Sequence, residues 1–188
     1  MATVGRWYAC RFSIFNKGSE NDHTHSQAVE LRKTLADFFE QIAGLGEKLG
    51  PVLLQTAPSH AADPTVVSNF LSTLRELHAG PVALEPLHAS WFSPEIDHLL
   101  CEFNIARVAA DPAKGSPWAS GPGGSTQHRY YRLHGSTRVY WSPYDASQID
   151  NLAATLRSHE ACKTWVVFDN TAAGAALRNA LELMKLCI

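Results

Sequence analysis

The feature that most constrains this chain is the alternation of short apolar runs with longer segments of helical periodicity. Several of the runs, such as VLL at 52–54 and WVVF at 165–168, are continuously apolar. This is typical of parallel strands that are buried on both faces. The predicted strands are RFSIF (11–15), PVLLQTAP (51–58), PVALEP (81–86), IARVAAD (105–111), HRYYRLHG (128–135) and TWVVFDN (164–170).

Five helices are predicted between or after these strands. They run from Gln27 to Leu49, from Pro64 to Gly80, from Pro94 to Phe103, from Ser147 to Ser158 and from Thr171 to Leu186. Asp63 and Ser93 each precede a proline, which suits a helix cap followed by the first helical position. A Gly/Pro/Ser-rich loop covers 112–127, and Asn179 on the last helix is expected to face outward or to dock the first strand.

Strict alternation of strand and helix predicts an α/β fold with helices outside a parallel sheet. The 188 residues suit a single domain over 1–188. The sheet could be open and doubly wound, or it could be a (β/α) barrel. No G-x-G-x-x-G or Walker sequence follows a strand, so the sequence identifies no cofactor.

Composition argues against several classes of partner. The net charge is -2 and no run of basic residues occurs, which argues against nucleic-acid binding. No apolar run is long enough to span a bilayer, and the N-terminus has no leader sequence, so no membrane partner is expected. The four cysteines lie far apart, which is typical of a reduced, cytoplasmic protein.

Polar residues end almost every predicted strand. The carboxyl ends of parallel strands meet at one edge, where helix N-termini also point, and α/β proteins place their active sites there. We therefore predict a pocket for a small-molecule ligand at this edge. The strand-end residues are Gln55, Glu85, Asp111, Arg132, His134, Asp169 and Asn170.

Residue chemistry suggests roles in this pocket, each with a structural alternative. Glu85 or Asp169 could be a general base and His134 an acid, and Arg132 could hold an anion. Alternatively, the acids could cap loop amides and Arg132 could form an internal ion pair with them. His88, Trp91, Tyr140 and Tyr144 follow the strands and could contact a substrate, or could simply pack their loops.

A metal site is not predicted. His23 and His25 are spaced like a metal-binding pair, but a loop with two histidines is more often just solvated. No H-E-x-x-H or comparable signature supports a metal.

Several segments together resemble the DUF72 (YecE-like) family, which is widespread in bacteria and has a TIM-barrel-like fold. The resemblance extends from about Phe38 to the C-terminus. The segments are VLLQTAP, VALEPLHASWF, AADPAKG, YYRLHGSTRVYWSPY and FDNTAAGAALRNALEL.

The chain departs from the family pattern in two places. Family members begin with two further βα units, including a GTSGW-like strand, so the resemblance implies an incomplete barrel of about six units. The family's E-F-R-H segment reads EPLH here, with Leu87 in place of the arginine.

Three functions follow from these observations. The chain could be a TIM-barrel-type enzyme, a hydrolase or isomerase, that acts on a small polar or anionic metabolite. It could be a non-catalytic binding or regulatory module that keeps the pocket without the chemistry. It could also be a truncated barrel that oligomerises, because missing units would leave two sheet edges unpaired.

Overall fold

The computed structural model describes residues 11–13, 24–158 and 162–187, and shows a mixed α/β fold. The strands are β1 (Arg11–Ser13), β2 (Val52–Gln55), β3 (Val82–Glu85), β4 (Ile105–Arg107), β5 (Ala109–Asp111), β6 (Gly123–Gly124), β7 (His128–Leu133) and β8 (Lys163–Phe168). The helices are α1 (Thr24–Ala43), α2 (Pro64–Leu77), α3 (Pro94–Glu102), α4 (Ala146–Arg157) and α5 (Ala175–Cys187). Residues 14–15 of the first predicted strand, His23 and the side chain of His25 lie outside this description.

The strands form two sheets, in the orders β1-β2-β3-β4-β6 and β5-β7-β8. All pairings are parallel except that of β6 with β4. Only Val108 separates β4 from β5, and its N–H donates to the carbonyl of Leu84 on β3 at 2.9 Å. The chain passes from the first sheet to the second at this point and again between β6 and β7, and the described residues form no closed barrel.

Four predictions of local structure were wrong. The helix predicted to run to Leu49 ends at Ala43 and is followed by a 3₁₀ turn (Gly46–Lys48). The single strand predicted over 105–111 is two strands, β4 and β5. The loop predicted over 112–127 contains a 3₁₀ turn (Pro117–Ser120) and the short strand β6. The last helix begins at Ala175 and not at Thr171.

The two faces of the sheets carry different residues. Side chains on the outer face, such as Leu54, Leu84 and Ile105, pack against helices in one large apolar core. The inner face has a smaller cluster in which Leu53, Val108 and Tyr130 pack with Ala83, Ala106 and Ala110. Because side chains alternate along a strand, Gln55, Glu85 and Arg132 share the inner face with these residues.

Side-chain caps fix the starts of three helices. Asp63 and Ser93 accept hydrogen bonds from the N–H groups of Val66 and Ile96, and each cap is followed by a proline. Asp145 forms a reciprocal capping box with Gln148 at the start of α4. None of the helices that the structure describes is long and apolar enough to cross a bilayer.

Candidate functional site

Five polar side chains meet at the carboxyl ends of the strands, and we call them the polar cluster. They come from the ends of β2 and β3, from β7, and from the residues just after β7 and β8. Each contacts at least one other member through a hydrogen bond or an ion pair. The five are Gln55, Glu85, Arg132, His134 and Asp169.

Arg132 joins the two acids of the cluster. One terminal nitrogen of its guanidinium donates to Glu85 Oε2 and the other to Asp169 Oδ2. Gln55 Nε2 donates to the same Glu85 oxygen at 2.6 Å. Asp169 is the most accessible charged member, with 23% of its side chain exposed against 3% for Glu85.

The imidazole of His134 lies between the same two acids. Its Nε2 is 3.4 Å from Glu85 Oε1 and its Nδ1 is 3.2 Å from Asp169 Oδ2. Burial favours the neutral ring, but the contacts with Asp169 and Glu85 outweigh it and raise the pKa of His134 above its ordinary value. The two acids therefore favour an imidazolium whose Nε2 is within hydrogen-bond reach of Glu85 and whose Nδ1 lies near Asp169 without hydrogen-bond geometry.

Burial also disfavours the charged form of the two acids, but their contacts within the cluster outweigh the effect of burial. Contacts with His134 and Arg132 hold the pKa of Glu85 and that of Asp169 below their ordinary values. The two carboxylates raise the pKa of Arg132. With His134 protonated, the cluster holds two negative and two positive charges and is neutral as a whole.

Tyr130 was not among the predicted site residues, although it lies on the same face of β7 as Arg132. Its side chain is 1% exposed and packs with the inner-face alanines. Burial raises its pKa to about 12, so its phenol stays neutral beside the cluster. The period-2 alternation of HRYYRLHG was the signal that could have identified it.

His88 and Trp91 follow Glu85 in sequence, but their hydrogen bonds lie outside the polar cluster. His88 Nδ1 accepts from the N–H of Ser90 at 3.2 Å and caps the 3₁₀ turn Ala89–Phe92. Trp91 is 1% exposed, and its indole N–H donates to the carbonyl of His60 at 2.9 Å. Trp91 also lines a cavity of about 110 Å³ at the start of α2.

Asp111 and Tyr144 support the segment that follows β7. The carbonyl of Asp111 accepts from the N–H of His134 at 2.7 Å and from the Tyr144 hydroxyl at 3.3 Å. The same hydroxyl accepts from the N–H of Gly135 at 2.9 Å. Tyr144 thus holds the backbone beside His134, and substrate contact by either residue stays a prediction.

Asn170 is fully buried and anchors α5. Its amide nitrogen donates to the carbonyl of Ser142 and to Asn179 Oδ1, both at 3.0 Å. Asn179 in turn donates to the carbonyl of Tyr144 at 2.8 Å and is itself fully buried. The expectation that Asn179 faces outward or docks the first strand was wrong, because it pairs with the loops after β7 and β8.

Tyr140 contacts His134 through both its backbone and its ring. Its N–H donates to the carbonyl of His134 at 2.5 Å, and its carbonyl accepts from the N–H of Ala172 at 3.0 Å. The phenol ring meets the imidazole edge-on, with 5.5 Å between the centroids. Tyr140 is still 46% exposed, so it lies between His134 and solvent.

The described residues contain no group of three or more His, Cys, Asp or Glu side chains arranged to hold a metal ion. In the polar cluster, the guanidinium of Arg132 contacts both carboxylates. A metal cation placed between those acids would be repelled by this charge. The contacts within the cluster are therefore hydrogen bonds and ion pairs between its own side chains.

Comparison with known proteins identifies a family and a fold. The sequence model of the family described as "Protein of unknown function DUF72" matches residues 3–188, a span that begins well before Phe38. No curated protein matches the chain. A DUF72 family protein from Enterococcus faecalis V583 is 22% identical with a TM-score of 0.70, over 83% of this chain and 66% of its own.

A second solved structure gives a similar result. The DUF72 family protein from Thermotoga maritima MSB8 is 23% identical with a TM-score of 0.70, over 95% of this chain and 73% of its own. At these identities the similarity shows a shared fold. The chain thus spans about two thirds of the length of the first protein and about three quarters of the second.

Proposed function

Because this chain belongs to the DUF72 family, whose function is unknown, we propose its function from the geometry of the polar cluster. The proposal is an enzyme that performs acid–base chemistry on a small polar metabolite at the carboxyl ends of the strands. The observation that carries it is the imidazole of His134 in contact with Glu85 through one nitrogen and with Asp169 through the other.

The proposed roles follow from protonation and exposure. His134 is the general acid, because its contacts with Asp169 and Glu85 raise its pKa and favour the protonated ring. Asp169 accepts a proton or a substrate hydroxyl, because it is the acid most accessible to solvent. Glu85 is buried and holds both Arg132 and His134, so its proposed part is to stabilise the imidazolium and fix its orientation.

The substrate that suits this arrangement is uncharged and rich in hydroxyl groups. Arg132 already donates to both carboxylates, and their two negative charges reduce its attraction for an anionic ligand. A hydroxyl can instead insert between His134 Nδ1 and Asp169, accept from the imidazole and donate to the carboxylate. Hydrolysis or isomerisation of a sugar-like compound is the proposed reaction class. Gln55 and Tyr140 are proposed to contact that compound.

The proposal also covers the type of α/β fold and the cellular location of the protein. The parallel strands follow one another in chain order, from β1 to β3, through β4 and β5, and on to β7 and β8. This order supports an incomplete (β/α) barrel of about six units. We also propose a cytoplasmic, bacterial protein that binds a small molecule and no nucleic acid.

A non-catalytic binding module is the second candidate, and one observation favours it. The charged groups of the cluster are paired with one another, and this makes the cluster stable without a ligand. Such a module would bind its ligand through Asp169 and Tyr140 and release it unchanged.

A metabolite mixture can separate the two candidates. The purified chain is incubated with the mixture, and binding is read from thermal shift and turnover from mass spectrometry. An enzyme should convert at least one component, and Asp169→Asn and His134→Gln should each lower that rate by about 10²–10⁴. Asp150→Asn, on the exposed side of α4, is the matched control and should keep the rate.

Two results would contradict the enzyme. One is thermal stabilisation by a component that is recovered unchanged, which supports the binding module. The other is turnover that survives both cluster substitutions while the variants remain folded.

A further inference from the structure

We infer that Tyr140 forms the wall of the site against which a ring-shaped sugar, a pyranose, is bound. The inference rests on the proposed function and adds a substrate class and a specificity residue to it. It starts from the backbone conformation of Tyr140, its contact with His134 and its exposure.

The backbone of Tyr140 is held in an unfavourable conformation. Its φ is +69°, in the left-handed region that a bulky non-glycine residue rarely adopts. Hydrogen bonds to the backbone of His134 and of Ala172 hold it there. A glycine at this position would adopt the same conformation without steric cost. The tyrosine side chain is therefore kept at the expense of stability, as is typical of residues that serve a function.

The ring of Tyr140 is aimed at the polar cluster. It packs edge-on against the imidazole of His134, while nearly half of the residue remains open to solvent. Neighbouring Trp141 is exposed to a similar extent, at 44%, but the guanidinium of Arg138 lies 4.2 Å from its ring centroid. Trp141 is therefore partly covered, and Tyr140 is the aromatic that contacts the proposed acid.

An aromatic ring next to a paired carboxylate and imidazolium suits a pyranose. The C–H face of a sugar ring is apolar and can stack on a phenol ring. Its hydroxyls, at the rim, can accept from His134 and donate to Asp169. An open-chain polyol offers the same hydroxyls but no flat apolar face, so it should bind much more weakly.

The test is an NMR titration of the ¹⁵N-labelled full chain with named probes. They are methyl β-D-glucopyranoside, methyl β-D-galactopyranoside and methyl α-D-mannopyranoside, with D-glucitol and adenosine for comparison. We expect at least one pyranoside to bind saturably and D-glucitol to bind at least tenfold more weakly. Shifts should centre on the amides of His134, Tyr140 and Asp169.

Variants separate the role of the ring from its effect on folding. Tyr140→Gly should lower pyranoside affinity at least tenfold while its thermal midpoint stays the same or rises, because the strain is relieved. Tyr140→Phe keeps the ring and should keep binding. Trp141→Ala removes the equally exposed neighbour and should also keep binding.

Three results would overturn the inference: no pyranoside binds saturably, adenosine binds more tightly than every pyranoside, or Tyr140→Gly binds as the wild type does. The outcome can be told apart from that of the proposed function. If the metabolite mixture yields a product that depends on His134 but no pyranoside binds, the enzyme stands and the inference fails. If pyranosides bind and nothing is converted, Tyr140 still forms the wall of a sugar-binding site, but the enzyme fails and the binding module takes its place.

Discussion

At His134, burial and two acids act in opposite directions on one imidazole. Burial disfavours the charged ring, whereas Asp169 and Glu85 favour it, and the acids prevail. The same two acids would be unstable as neighbouring charges without Arg132 between them. The state of each residue in the cluster is thus set by the others, so the cluster titrates as a unit.

This balance predicts a pH-dependent contribution of His134 to stability. The pKa of His134 is raised on folding, so its contribution is complete below about pH 6.5 and is lost as the pH rises through the folded pKa. We expect the difference in free energy of unfolding between wild type and His134→Gln to shrink as the pH rises from 6 to 9. Urea unfolding at several pH values measures it.

The prediction compares the free energies of unfolding of two proteins because other histidines change the stability of both with pH in the opposite direction. Burial lowers the pKa of His60, His78 and His128, so their contributions are lost as the pH falls below about 6.5. They cancel when two variants are compared. His98→Gln, at an exposed position of α3, should give a flat difference, and a flat difference for His134→Gln would contradict the prediction.

At the scale of elements, Arg75 joins the ends of two helices. Its guanidinium donates to the carbonyls of Phe103 and Asn104, which follow α3. It also donates to the carbonyls of His78 and Gly80, which follow α2 and precede β3. These carbonyls lie beyond the last turns of the helices, where no helical N–H is available. Arg75 supplies the hydrogen-bond donors that they would otherwise lack.

We expect Arg75→Met to lower the free energy of unfolding by about 2–4 kcal/mol, because four carbonyls lose a charged donor. Chemical denaturation measures the loss. Arg178→Met is the control: this exposed arginine of α5 makes an i,i+4 contact with Glu182 and should change stability little. Equal effects of the two substitutions would show that the carbonyls find other partners.

The positions of most strands and helices could be predicted from apolar runs and caps, and the misses have local causes. A helix from Thr171 was wrong because Gly174 has a φ of +75°, which an α-helix does not allow. Strand β6 was missed because glycines disfavour strands in general. Here Gly124 is required, because a Cβ on it would collide with the carbonyl of Ile105 on β4.

At the scale of the whole molecule, the site was easier to predict than its internal contacts. Glu85, Arg132 and Asp169 could be expected to converge because carboxyl ends of parallel strands share an edge. That Arg132 binds both acids depends on how strands far apart in sequence are placed, which the sequence does not encode locally. His88 and Trp91 show the same limit, since they follow Glu85 closely yet make their hydrogen bonds elsewhere.

Strand β8, at the edge of the second sheet, leads to a prediction about self-association. Strand β8 pairs with β7, and no other strand in the described part of the chain pairs with it. Unpaired edges promote association between chains, and a lysine at such an edge opposes it. Lys163 is the exposed first residue of β8, and its ammonium lies 5.0 Å from the Trp165 ring centroid.

We therefore expect Lys163→Val to increase oligomer formation, measured by sedimentation velocity over a range of concentrations. Lys185→Val makes the same change on the exposed side of α5 and serves as the control. If the two variants sediment alike, the edge of β8 is not where chains associate.

The neutrality of the polar cluster has a consequence for any ligand that carries a formal charge. Such a ligand would change the net charge at the cluster, which holds two negative and two positive groups. His134 can compensate for a cationic ligand by losing its hydrogen ion, and an anionic ligand would favour keeping it. Uptake of an ionic compound would then exchange hydrogen ions with the surrounding buffer. Its apparent affinity would vary with acidity even when the compound itself does not titrate.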